Sequence, residues 1–174
     1  MEPALSLLAE ILSTDSFLNV WYWIFLAVIW AHLSHYTLGI GHHDVLQAKR
    51  AGGEFMADFE AVVEIKLRRG LEALRDYGTL LVGIMAFFLS VFSVTGFLFG
   101  FELMQAVAIL WFFICIYGMI TWRFMLKLEA DAPKGQELSK RFSRHQNAKQ
   151  LIGFLSLLFT AFYGVARATL NYQL

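Results

Sequence analysis

Four of the chain's five histidines, His32, His35, His42 and His43, fall within the fifteen residues WAHLSHYTLGIGHHD, which end on Asp44. Neutral imidazole ligates zinc, copper, iron and nickel, so several imidazoles beside a carboxylate raise metal chemistry first. His32 and His35 stand one helical turn apart, and the fifth histidine, His145, precedes another apolar run. A mononuclear site built from His32, His35 and His145, with Asp44, is geometrically conceivable. A bis-histidine haem needs two inward-facing imidazoles at matched depth on different helices, and only His32 sits well inside an apolar run. The histidine boxes of membrane di-iron oxygenases need more imidazoles than this chain holds. Against all three stands a plainer use, imidazoles at a lipid headgroup layer bonded to carbonyls, water or phosphate. No Ser/His/Asp arrangement, phosphate loop or paired-carboxylate site appears, so no enzymatic activity is expected. The single cysteine, Cys115, excludes an intrachain disulfide and a cysteine cage for zinc or iron–sulfur. No cofactor is expected, with a metal ion or haem as the alternative.

The elements that must position these residues are apolar. Hydrophobic residues make up 58% of the chain and charged residues 16%, against about 25% charged in a typical soluble domain. The charges leave long gaps, the pattern of a polytopic membrane protein. Net charge is zero, which gives no basic field for nucleic acid. The N-terminus lacks the positive region of a cleavable signal.

A hydrocarbon core of about 30 Å takes roughly 20 helical residues to cross. Four segments reach that length: about Phe17–Leu38, Tyr77–Gly100, Leu103–Trp122 and Leu151–Leu170. Trp21, Tyr22 and Trp23 form an interfacial belt on the first. The fourth needs Arg167 to snorkel. Lysine and arginine then set the orientation. Six lie in residues 39–76 and seven in residues 123–150, thirteen of the chain's fourteen. Both segments are therefore expected in the cytoplasm, with both termini on the outer side. The expected fold is all-α: a single membrane domain over residues 1–174, a bundle of four transmembrane helices.

Two further helices are expected outside the spans. Pro3–Leu12 has leucines at helical spacing and reads as a short interfacial helix, followed by a Thr14-Asp15-Ser16 cap. In the first charged segment Phe55, Phe59, Val62, Val63, Leu67 and Leu74 line one face of an amphipathic helix, with Glu64–Arg68 and Arg68–Glu72 pairs elsewhere on it. A helix from Glu54 can run into span two, with a break at Gly70 or Gly78. Its apolar face needs the membrane surface, the second charged segment or another protein. Pro133-Lys134-Gly135 signals a turn, and Glu137–Gln150 a short polar helix before span four.

Small residues allow helices to approach closely in lipid. Span two carries Ser90, Ser93, Gly96 and Gly100 at steps of three or four, and span four carries Gly153, Ser156, Thr160 and Gly164. These stripes pack spans two and four together, or one faces another subunit. Glu102 and Arg167 lie at similar depth and can pair.

SFLNVWYWIFLAVIWAHLSHYTLGI, with HDVLQAKRAGGEFMADFEAVV and SRHQNAKQLIGF, resembles a family of small alphaproteobacterial inner-membrane proteins of unassigned activity, sometimes labelled components of the SufBCD iron–sulfur assembly complex. KLRRGLEALRDYGTLLVGI and WRFMLKLEADAPKG are more faintly similar to the four-span bacterial protoporphyrinogen oxidase. That family relies on a histidine early in its first span, where this chain has leucines, tryptophans and valines.

Three function classes fit. The first is a non-enzymatic accessory, assembly or scaffold subunit of a larger membrane complex, its partners being the lipid bilayer and other membrane subunits. The second is a self-associating channel or carrier, and the third a histidine-based metal- or haem-handling redox protein.

Overall fold

The computed structural model describes residues 20–171. The expected interfacial helix Pro3–Leu12, the cap at Thr14-Asp15-Ser16 and the first residues of span one lie outside these. Helix α1 (Val20–His35) buries Leu26 and Trp30, one turn apart, while Val20, Trp21, Ile24, Phe25 and Val28 face outward. It ends three residues before the expected Leu38 because the chain turns back on itself there. Strand β1 (Tyr36–Thr37) pairs antiparallel with β2 (Ile40–Gly41) around the two-residue loop Leu38-Gly39. Both loop residues have positive φ, 55° and 70°, as the tight hairpin turn requires, and glycine accepts that conformation without strain.

Helix α2 (His42–Ala51) starts with the Asp44 carboxylate accepting the N–H of Gly41 at 3.3 Å. Gly52 and Gly53, both at positive φ, turn the chain into α3 (Gly53–Ser93), which continues as a single π turn, Val94–Leu98. No break occurs at Gly70 or Gly78. These glycines instead admit neighbours from α4 (Glu102–Asp131): a Cβ on Gly70 would lie 3.1 Å from Met125 Sδ, and one on Gly78 3.4 Å from Trp122. Left-handed Ala132, Pro133 and Gly135 make the expected turn. Helix α5 (Gly135–Asn171) then runs without interruption, so the polar helix expected at Glu137–Gln150 is its first part. The N–H of Gly135 is accepted by the Glu60 carboxylate of α3, which caps α5 from another helix.

Among the described residues, three helices are long and apolar enough to cross a membrane: residues 53–98, 102–131 and 135–169. Helix α1 has 16 described residues, roughly 24 Å at 1.5 Å per residue. Leu80, Phe87 and Val91 on α3, Phe97 on the π turn, and Phe154, Leu158, Phe162 and Val165 on α5 form an apolar outer surface that suits lipid and is costly in water.

Helix α3 packs on α4, α4 on α5, and α1 on α4 and α5. Apolar layers fill the interior at successive heights. Ala106 and Ile109 lie near one end, and Leu26, Trp30, Leu110 and Ile152 in the middle. A third layer holds the charged end together, with Phe59 and Val63 of α3 packed among Ile40, Val45, Ala48, Leu128, Leu138 and Phe142. The amphipathic face of α3 therefore finds much of its partner within the chain. Phe55 and Val62 from that face remain outward. Arg75 on α3 bridges to Glu129 on α4 at 2.6 Å.

Candidate functional site

The last turn of α1 leaves carbonyls without an intrahelical partner, as every helix end does. Here α4 and α5 supply the donors. Lys149 of α5, only 1% exposed, gives its Nζ to the carbonyl of Tyr36 at 2.6 Å and to that of Leu33 at 3.4 Å. Gln146, one turn earlier, donates Nε2 to the carbonyl of Ser34 at 3.2 Å. The Tyr117 hydroxyl of α4 donates to Leu33 at 3.1 Å, and the Lys149 ammonium lies 5.5 Å from the centroid of that tyrosine ring. A cation at a helix C-terminus is favoured by the helix dipole, and burial makes these bonds costly to lose. Burial also lowers Lys149 to about 8, below the ordinary lysine range.

This latch fixes the backbone of the histidine-rich stretch and turns imidazoles away from it. His32 and His35 are exposed, their rings 5.5 Å and 4.8 Å from that of Tyr36. His43 is exposed with Asp44 at 3.9 Å. His145 is buried on α5, stacked parallel on Phe124 at 4.1 Å, and its Nε2 has no hydrogen-bond partner among the described residues. Burial, then the nearby Lys149 charge, lowers its pKa to about 4. Among the described residues no three His, Cys, Asp or Glu side chains come together as a metal site, so His32, His35, His145 and Asp44 are not gathered into one. The His42 side chain lies outside the description.

A second polar group sits between α4, α5 and the π turn. Buried Gln105 donates Nε2 to the carbonyl of Gly96 at 2.8 Å, and its Oε1 accepts from Tyr163 at 3.0 Å and from Arg167 at 2.7 Å. Arg167 thus meets Gln105 where a pairing with Glu102 was expected. The approach at Gly96 is close: a Cβ there would fall 2.7 Å from the Gln105 nitrogen.

The two small-residue stripes face different neighbours. Gly96 admits α4, while Ser90 is exposed and bonds back to Ala86, Ser93 is half-buried, and Gly100 has positive φ with open space around it. On α5, Gly153 lies against the Trp30 ring of α1, where a Cβ would be 3.0 Å away. Ser156, Thr160 and Gly164 are buried along the same face, with the Thr160 hydroxyl donating to the Ser156 carbonyl.

Lys149, Gln146, Tyr117 and Gln105 were not singled out by the sequence reading. One signal was present. Ser139, Phe142, Gln146, Lys149, Gly153, Ser156, Thr160 and Gly164 follow one another at steps of three and four, and all are buried. The stripe that the small residues mark from Gly153 onward starts nearly four turns earlier, at Ser139. Comparison with family models, with curated proteins and with solved structures finds no match to this chain.

Proposed function

We propose that the chain is a non-enzymatic inner-membrane protein that crosses the bilayer four times and serves as an accessory, assembly or scaffold subunit of a larger membrane complex. In this reading α1 is the first crossing and both termini are periplasmic. Thirteen of fourteen lysines and arginines then lie on the cytoplasmic side. A bacterial inner membrane is also the setting that the resemblance to small alphaproteobacterial membrane proteins implies.

One observation carries the reading. Between α2 and α3 runs a shallow groove of about 230 Å³ lined by Ile40, Phe55, Phe59 and Val62 together with the carboxylates Asp44 and Asp58. Phe55 is 52% exposed and Val62 45%, yet they stand 22 and 15 residues before Tyr77, where the apolar part of α3 begins, or roughly 33 Å and 22 Å along the axis. Apolar side chains held that far from lipid suit contact with another protein. Gentle detergent extraction followed by mass spectrometry of co-purifying proteins tests this. A membrane complex that travels with the wild type and is lost from Phe55→Glu/Val62→Glu supports it. A symmetric homo-oligomer with a polar lumen would favour a channel or carrier, and stoichiometric metal or a Soret band would favour redox handling.

A further inference from the structure

At the charged end, α4 and α5 diverge around a cavity of about 730 Å³. Each wall carries two cations one turn apart: Arg123 and Lys127 on α4, Lys140 and Arg144 on α5. A fifth, Arg141, is bonded to both carboxylates of the cavity, Asp131 and Glu137, so neither acid is left to neutralise the other four. All four are exposed, and among the described residues none has a carboxylate within ion-pair distance. Between the walls the surface is mostly apolar, formed by Ile120, Phe124, Leu128 and Ala148, with His145 stacked on Phe124.

Position decides what such a cavity suits. Arg123 follows Trp122 directly, where the apolar part of α4 ends. Arg144 lies seven residues before Leu151, or about 10 Å along α5, within reach of a long side chain from the headgroup layer. On α4 the exposed apolar side chains of Met119 and Leu126 flank Ile120 and Phe124. A soluble acidic peptide would gain from the cations alone, whereas a lipid uses both the cations and the apolar surface beneath them.

We infer that this cavity binds the phosphate headgroup of an anionic phospholipid, with Arg123, Lys127, Lys140 and Arg144 on the phosphate and Ile120 and Phe124 against the acyl chains. Arginine on phosphate and basic pockets between membrane helices provide the chemistry. The inference rests on the membrane-crossing reading of α4 and α5, which fails separately, if labelling reaches residues 45–75 from the periplasm.

The test is native mass spectrometry of the full chain in detergent, titrated with phosphatidylglycerol, cardiolipin or phosphatidylcholine. Arg123→Gln/Lys127→Gln/Lys140→Gln/Arg144→Gln is compared with Lys49→Gln/Arg50→Gln/Lys66→Gln/Arg68→Gln, which removes the same charge elsewhere. Wild type and the second variant should retain anionic lipid over phosphatidylcholine, and the first variant should retain at least about tenfold less. The pair Lys127→Gln/Lys140→Gln should show an intermediate loss if the fourfold variant does not fold. Equal retention by wild type and the cavity variants overturns the inference. So does inorganic phosphate binding in the cavity with no added retention of lipid, or loss of a co-purifying acidic protein while lipid retention stays unchanged.

Discussion

The ammonium of Lys149 lies 2.6 Å from the carbonyl oxygen of Tyr36, 113 residues earlier in the chain. A charge that reads as part of a solvated loop is thus the fastening of α1 to α5. Replacing it with methionine keeps the hydrophobic stem and removes the donor. Lys149→Met should lose about 1–3 kcal/mol, because the Leu33 and Tyr36 carbonyls lose a charged partner in a buried place. Thermal unfolding in detergent, followed by tryptophan fluorescence, measures this; an unchanged midpoint would show that the latch is idle.

His145 predicts a pH dependence with a definite sign. Burial lowers its pKa from 6.5 to about 4, so between those values the unfolded chain binds a proton that the folded chain refuses. Its contribution to stability is complete above about pH 6.5 and is lost as pH falls toward about 4. Lys149, the charged neighbour on the same helix, stays protonated throughout that window and cannot cause the change. His145→Phe should flatten the stability profile between pH 6.5 and 4 by about 1–3 kcal/mol while leaving the Phe124 contact apolar. A profile as steep as that of the wild type would place the acid sensitivity elsewhere.

The sequence told the two kinds of information apart unevenly. Long apolar runs announce helices because length and hydrophobicity are local properties, and α3, α4 and α5 lie where those runs do. The turn at Pro133-Lys134-Gly135 is equally local. Gly70 and Gly78 are different: a glycine that breaks a helix and one that admits a neighbour's side chain read identically until Met125 and Trp122 are in view. Lys149 and Gln105 escaped for the same reason. Their partners are carbonyls and side chains brought near by packing, and no spacing along the chain encodes a carbonyl that a distant helix leaves open. The histidines attracted notice by type and density, yet His32 and His35 face outward because the latch holds their backbone, not their rings.

That outward placement gives a simple prediction for the double variant His32→Ala/His35→Ala. Both rings are exposed and meet Tyr36, itself 44% exposed, so stability should change by no more than about 0.5 kcal/mol. Expression and any co-purifying partner should be retained. Loss of the partner with an unchanged melting midpoint would assign these imidazoles a binding role that their contacts within the chain do not suggest.

Gly96 and Gly83 lie on the same continuous helical segment and offer the sharpest contrast for a single chemical change. By helix propensity alone, alanine is better than glycine at both by up to about 1 kcal/mol. At Gly83 nothing lies within 4 Å of the added Cβ, so Gly83→Ala should be neutral or stabilising. At Gly96 the Cβ would fall 2.7 Å from the Gln105 nitrogen and 2.9 Å from the Met104 carbonyl carbon. Both are backbone atoms and cannot rotate aside. The helices must separate, which stretches the Gln105 bond to the Gly96 carbonyl and disturbs the acceptor shared by Tyr163 and Arg167. Gly96→Ala should therefore destabilise by about 1–3 kcal/mol, read by thermal unfolding beside Gly83→Ala in one detergent. Gln105→Ala should not rescue it, since the clash is with backbone. If both glycine variants melt above the wild type, the close approach of the π turn to α4 is wrong.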